Sequence, residues 1–257
     1  MDLPELFDLR NKTAVVSGGG NGIGKACCRM LADFGANVVV ADLKNEDAQA
    51  VADEIIGRGG QALAVSCNVL KDEELVALVD KTVEKFGGLH ILVNNVGGGG
   101  AGREDPEQIT VEQFAHVFKL NVFSMWRLSQ LCAPHMKNAG YGSIINMSSM
   151  SSINNSPAIS AYASSKAAIN HMTSNLAFDY GPEIRVNAVG PGAVRTDALA
   201  SVLTPEIEKK MLSHTPLERL GQPDDIAGAV LYFASPISKW VSGQLLFVNG
   251  GGVQTLD

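Results

Sequence analysis

Tyrosine and lysine stand four positions apart in SAYASSKAA, residues 160–168, a stretch of small residues without Gly or Pro that reads as helix. At that spacing Tyr162 and Lys166 share one helix face, with Cβ atoms about 6 Å apart. Two readings fit the pair. One is a tyrosine snorkelling at a helix surface beside a solvated lysine. The other is a phenol whose proton is meant to move next to a fixed positive charge. A free phenol, with a pKa of about 10, is a poor base at neutral pH. An ammonium about 6 Å away, at an effective dielectric of about 20, favours the phenolate by roughly 2–3 kcal/mol, or about 2 pKa units. The pair therefore predicts a Tyr162 drawn toward ionisation by Lys166 and able to exchange a proton near neutral pH.

A second candidate lies near the N-terminus, in Ser17-Gly18-Gly19-Gly20-Asn21-Gly22-Ile23-Gly24. The spacing Gly-x-x-x-Gly-x-Gly places glycines at a tight strand-to-helix turn. There a side chain would keep the backbone from a pyrophosphate, and the helix N-terminus offers free N–H groups. Asp42, at the end of the next apolar run, stands at roughly the 20-residue distance expected of a ribose-binding acid. A carboxylate there accepts both ribose hydroxyls and repels a 2′-phosphate, which predicts NAD over NADP. Lys44 partly neutralises the site, and a solvated Asp at a strand end is the plainer reading.

These groups need a scaffold. Short runs rich in Val and Ile, at 13–17, 37–41, 62–67, 90–94, 143–147, 185–189 and 245–248, are nearly continuous apolar stretches. Strands buried on both faces read that way. Helical patterns lie between them at 23–34, 46–57, 72–86, 111–137, 161–180 and 223–234. The alternation predicts an α/β single-domain, doubly wound (Rossmann-type) seven-stranded parallel sheet with helices on both faces. No linker or repeat divides residues 1–257. The segment 195–220 departs from the pattern: it has two prolines, mixed charge and a short amphipathic helix, and reads as a substrate lid. Parallel strands deliver their C-terminal ends to one edge, so Ser149, just past the fifth run, should face the same crevice as the glycines.

In this setting the chain resembles the short-chain dehydrogenase/reductase family over essentially its full length. The marks are Gly18/Gly22/Gly24, Asn94-Asn95-x-Gly97, Asn121, Ser149, Tyr162-x-x-x-Lys166 and Pro191-Gly192. The resemblance implies an NAD-dependent enzyme that moves hydride between a secondary alcohol and nicotinamide. It implies that Asn121, Ser149, Tyr162 and Lys166 are catalytic. Ser149 would hold the substrate oxygen, Lys166 the nicotinamide ribose, and the Asn121 carbonyl a proton-relaying water. It assigns cofactor contacts to Gly18, Asn21, Gly22, Ile23, Gly24, Asp42, Leu43, Asn68, Val69, Asn95, Gly97, Tyr162, Lys166, Pro191, Gly192, Val194 and Thr196. Substrate contacts fall to Gly99, Ser149, Asn154 and Tyr162. Two positions depart from the family pattern. Val96 replaces the usual alanine and adds bulk beside the cofactor's ribose. Asn68 replaces an aspartate, leaving an uncharged carbonyl acceptor for the adenine amine.

The substrate is less legible. Gly97–Gly100, then Ala101 and Gly102, form either a flexible loop or room for a broad, flat ligand. Ala198, Leu199, Val202, Leu203, Ile207, Met211 and Leu212 either cover an apolar ligand or pack the lid on the body. NNVGGGG, LNVFSMWRLSQLCAPHM, the lid and the tail VSGQLLFVNGGGVQTLD are similar to a steroid-oxidising branch of the family, which implies a bile acid or related steroid as substrate. Another secondary alcohol, a 3-oxoacyl thioester, or a non-catalytic dinucleotide-binding regulator are the alternatives.

Composition sets outer bounds. With 46% hydrophobic and 18% charged residues the chain is globular, and a net charge of −7 without a Lys/Arg run argues against nucleic acid. No apolar run nears the roughly 20 residues that span a membrane. MDLPELFDLRNK is not a signal peptide, and four cysteines without CxxC or metal-ligand spacing fit a reduced cytoplasmic setting with no metal. Phe114, Val117, Phe118, Trp126, Leu128 and Met172 make the 111–137 and 161–180 helices apolar beyond one stripe. That predicts a subunit contact, and the resemblance implies a homotetramer.

Overall fold

The computed structural model describes residues 3–99, 104–200 and 203–252. Seven strands form one parallel sheet: β1 (Thr13–Ser17), β2 (Asn37–Asp42), β3 (Gln61–Ser66), β4 (Ile91–Asn94), β5 (Gly142–Met147), β6 (Ile184–Pro191) and β7 (Leu245–Val248). Their order is β3-β2-β1-β4-β5-β6-β7. The chain builds outward from β1 in one direction, then returns to start β4 on its other side. The crevice at the C-terminal ends of β1 and β4 is where such a sheet receives a ligand.

Alternation along each strand feeds two apolar layers. Ala14, Val16, Val38, Val40, Ile91 and Val93 face one core, with α1 (Gly22–Asp33), α2 (Asn45–Gly57) and, after the chain has crossed the sheet, the helix Pro223–Ala234. Val15, Val39, Leu92 and Ile144 face the other, with α3 (Asp72–Phe86) and later helices. Burial of both faces explains the unbroken apolar strand sequences.

The predicted 111–137 helix is interrupted. α4 (Val111–Phe118) opens on a Thr110–Gln113 capping box, a π-helical turn follows at Lys119–Phe123, and α5 (Ser124–Asn138) continues. π turns gather at functional sites, and this one centres on Asn121. α6 (Ser160–Tyr180) carries Tyr162 and Lys166. The predicted lid segment holds two short helices, α7 (Asp197–Ala200) and α8 (Pro205–Ser213), before α9 (Pro223–Ala234). Val194 pairs with Gly221 in an isolated parallel bridge that closes the base of this segment.

Four of the six residues read as surplus apolar surface prove to be something else or only partly so. Leu128 belongs to the core and Met172 packs against it, while Phe114 and Phe118 stack on each other with centroids 5.5 Å apart. Trp126 is 43% exposed, and Phe123, unremarked in the sequence, is 55% exposed.

Candidate active site

The phosphate end is made of backbone. Gly18 and Gly22 have φ of +66° and +52°, conformations that side chains resist. A Cβ on Gly24 would lie 2.0 Å from the Gly18 carbonyl oxygen, so α1 meets the turn closely only because that position has none. Asn21, the α1 N-cap residue, makes no side-chain cap and instead donates to Asp47 Oδ2 at 2.8 Å. The first N–H groups of α1 are thereby left without a side-chain partner at the cap, as an anion site requires. Asp42 Oδ2 accepts the Gly20 N–H at 2.9 Å, and its Oδ1 accepts that of Lys44 at 3.2 Å. The carboxylate thus stands at the glycine turn, as its place after β2 predicts. Leu43 beside it is 67% exposed.

Asn95 joins the ends of β1 and β4: its amide donates to the carbonyls of Ser17 and Gly18 at 3.1 and 3.0 Å. Val96 is partly buried against the core and does not line the cleft, yet its Cγ2 would lie 3.1 Å from a Cβ on Gly18, so its bulk stands at the glycine turn. At Asn68 the side-chain carbonyl already accepts the Leu70 N–H at 3.0 Å, with one lone pair remaining. Val69 is buried in the core, leaving only its backbone for a ligand.

A cavity of about 330 Å³ begins at this turn and is lined by Ile23, Asn95, Gly97, Met147, Ser148, Ser149, Tyr162, Lys166, Pro191, Gly192, Ala193, Val194, Thr196 and Leu199. It brings together Ile23, Asn95, Gly97, Ser149, Tyr162, Lys166, Pro191, Gly192, Val194 and Thr196 of the predicted residues, while Gly18, Gly22, Gly24, Asp42 and Asn121 stand outside its lining. Thr196 reaches back to the phosphate turn, where a Cβ on Gly22 would lie 3.3 Å from its methyl. Among the described residues of the predicted lid, Thr196 and Leu199 are on the cavity wall. Met211 is buried instead, Val202 lies outside the described residues, and Arg195 ion-pairs with Glu208 across the segment. Gly99 and Asn154 are not among the lining residues; Gly99 follows β4, and Asn154 donates its backbone N–H to Met150 at 3.0 Å just beyond Ser149. Gly100, Ala101 and Gly102 lie outside the described residues.

At the far end Lys166 is 3% exposed and donates from Nζ to the Met147 carbonyl at 2.8 Å. Its Nζ sits 5.6 Å from the centre of the Tyr162 ring. Gly97 makes room for it, since a Cβ there would lie 2.9 Å from Nζ. Asn121 grips the next residue from both sides: its Oδ1 accepts the Gly98 N–H at 2.8 Å and its Nδ2 donates to the Gly98 carbonyl at 2.9 Å. The same Nδ2 donates to Ser165 Oγ at 2.8 Å, so the π turn, the glycine loop and α6 meet at one amide.

The electrostatics correct the sequence reading. Burial pushes the Tyr162 phenol above its ordinary value; a hydrogen bond with Ser149 opposes the shift, and the charge of Glu104 adds to it. Burial also lowers the Lys166 amine to about 8. The Coulomb argument counted attraction between two charges but omitted the cost of removing each from water, which dominates here. Below about pH 8 the amine stays protonated, so its orienting charge is available at neutral pH. Glu104, 5% exposed, is the residue that sequence reasoning missed. Flanked by Arg103 and Asp105 in a loop, it reads as a solvated acid.

A family model described as "Enoyl-(Acyl carrier protein) reductase" matches residues 18–252. The 7α-hydroxysteroid dehydrogenase of Escherichia coli (strain K12) is 50% identical over 250 residues, covering 97% of each chain. A solved structure of a 7α-hydroxysteroid dehydrogenase complexed with NADH and 7-oxo glycochenodeoxycholic acid superposes with a TM-score of 0.96 at 48% identity, covering 100% of both chains. A short-chain type dehydrogenase/reductase from Mycobacterium marinum follows with a TM-score of 0.91 at 34% identity, covering 97% of this chain and 98% of its own.

Proposed function

The chain belongs to the short-chain dehydrogenase/reductase family of oxidoreductases, and from that premise we propose that it oxidises the 7α-hydroxyl of bile acids with NAD. The observation that carries the chemistry is the cleft that reaches from Ile23, between the glycines of the turn, to Ser149, Tyr162 and Lys166. The substrate follows the relatives, whose likeness extends through the lid and the strand β7.

The residues fit a dinucleotide. Gly18, Asn21, Gly22, Ile23 and Gly24 form the phosphate cradle, with Asp42 and Leu43 at the ribose and Asn68 and the Val69 backbone toward the adenine. Asn95, Gly97, Pro191, Gly192, Val194 and Thr196 line or brace the nicotinamide end. NAD, when bound, supplies the hydride acceptor and a positive charge beside the phenol. Ser149 hydrogen-bonds the substrate oxygen and orients it. Tyr162 takes the alcohol proton in oxidation and returns it in reduction. Lys166 would hold its ammonium behind the phenol and toward the cofactor's ribose, and the backbone carbonyl of Asn121 would hold a water that relays protons from it. Gly99 and Asn154 flank the substrate end, and segment 195–220 acts as lid through Leu199.

Mixing the protein with NAD and cholic acid and following reduced-cofactor absorbance tests the reading. Reduction with 7α-hydroxy bile acids is expected, and none with any of them sinks the steroid assignment. The description of the matching family model favours one other substrate, an acyl chain on a carrier protein. Such a substrate favours a basic docking patch, which the net charge of −7 opposes, and usually NADPH, which Asp42 opposes.

We place the enzyme in the cytoplasm as a homotetramer. All four cysteines are free and buried, and no described helix is long and apolar enough to cross a membrane. Phe123 and Trp126 leave apolar surface exposed next to α4 and on α5. A monomer mass at micromolar concentration contradicts the assembly.

A further inference from the structure

α6 carries both Tyr162 and Lys166, yet its own N-terminus is poorly secured. Ile159 occupies the N-cap position and makes no side-chain cap. Ala158 before it has φ +52°, a left-handed conformation that a residue with a Cβ adopts only under restraint. Both deficits are met from one place. Glu104 donates its backbone N–H to the Ala158 carbonyl at 2.9 Å and pairs with Ile159 in a parallel bridge. Its carboxylate Oε2 accepts the Tyr162 N–H at 3.0 Å, at the third position of the helix. Its other oxygen abuts the glycine loop, where a Cβ on Gly99 would lie 3.0 Å from Oε1.

We propose that Glu104 is a positioning residue for Tyr162, its carboxylate fastening the glycine loop beyond β4 to the first turn of α6 and fixing where the phenol stands. The inference rests on the reading of Tyr162 as the proton-transferring group. A carboxylate at a helix N-terminus meets the positive end of the helix dipole, which favours its burial there. An uncharged acceptor would secure the same N–H, so the charge must have a second consequence. It bears on the phenol. Among the described residues the ionisable groups acting there are Lys166 on α6 itself and Glu104 from the loop. The ends of β5 and β6 contribute Ser149 and uncharged groups. Burial is the main cause that raises the phenol, and the Glu104 charge adds to it, disfavouring phenolate further.

Two variants separate cap from charge. Glu104→Gln keeps an acceptor for the Tyr162 N–H and loses the charge; Glu104→Ala loses both. The phenol is titrated by ultraviolet difference spectroscopy in the free protein, with Tyr162→Phe as the blank for the other three of the four tyrosines. Exchange of the Tyr162 amide is followed by NMR. In Glu104→Gln the phenol should ionise about 0.5–1 pH unit lower, and the acid limb of kcat for alcohol oxidation should move the same way. In Glu104→Ala the Tyr162 amide should exchange at least about tenfold faster, with kcat reduced and cofactor affinity kept. An unmoved phenol in Glu104→Gln overturns the proposal, even where Glu104→Ala fails to fold. A wild-type protein that reduces NAD with no secondary alcohol sinks the dehydrogenase reading instead and leaves both free-protein measurements unaffected.

Discussion

At the glycine turn the cleft is shaped by side chains that are missing, while at the Tyr162 corner it is shaped by polar and charged side chains held away from water. The first end carries no buried ion: Gly18, Gly22 and Gly24 bring backbone N–H groups within reach of a ligand, and Asp42 stands half-exposed beside them. The second end buries an ammonium at Lys166, near the Tyr162 ring, and a carboxylate at Glu104, on the Tyr162 backbone N–H. Binding surfaces of the first kind tolerate no added volume. Those of the second kind are sensitive above all to a change of charge, because their ions are stabilised by a few specific partners.

The sharpest way to break this contrast is Lys166→Met, which keeps volume and removes charge. Alcohol oxidation should fall at least about a hundredfold, measured as kcat/KM with NAD. Stability should move the other way. The folded amine titrates near 8 against an ordinary 10.5, so the folded state carries its full burial penalty below about pH 8. The penalty shrinks as pH rises toward 10.5 and is absent above it. Lys166→Met should therefore be more stable than wild type at neutral pH, by about 1–3 kcal/mol, with the gap closing on the alkaline side in urea titrations. A gap independent of pH contradicts the burial argument.

At the other end Gly24→Ala adds volume and no charge. Its Cβ would stand 2.0 Å from the Gly18 oxygen, so α1 or the turn must shift. A loss of about 1–3 kcal/mol is expected, lowering Tm by roughly 3–10 °C, together with weaker cofactor binding. An unchanged Tm in a thermal melt means that the turn is softer than this account holds. Asp42→Ala should have the smallest effect: it removes a charge that is not deeply buried, leaving the fold intact. The ratio of kcat/KM for NAD over that for NADP should drop about ten- to a hundredfold. A ratio that stays put means Asp42 only braces Gly20.

The same contrast governs what could be read from sequence. Glycine spacing, unbroken Val/Ile runs and β-α alternation are local patterns, so the strand order's consequence, a crevice beyond β1 and β4, was legible together with most of its lining. Strand and helix ends moved by a residue or two: β2 runs on to Asp42, and β6 runs on to Pro191. His90 falls just outside β4 because its ring nitrogen accepts the Thr13 N–H. What sequence did not reveal depends on neighbours far along the chain. Glu104 meets Tyr162 across 58 positions, and nothing in a charged loop before Pro106 marks it as buried. The sign of the Tyr162 shift was missed because spacing gives a distance between charges and says nothing of how dry their surroundings are.

Tyr162→Phe removes one oxygen and leaves both kinds of surface in place, so it tests the central claim most directly. The dissociation constant for NAD and the single-turnover rate with a 7α-hydroxy bile acid should be measured on the same preparation. The account predicts nearly unchanged NAD binding and a rate lower by about 10²–10⁴-fold. A variant that keeps most of the wild-type rate would show that the proton leaves by another route.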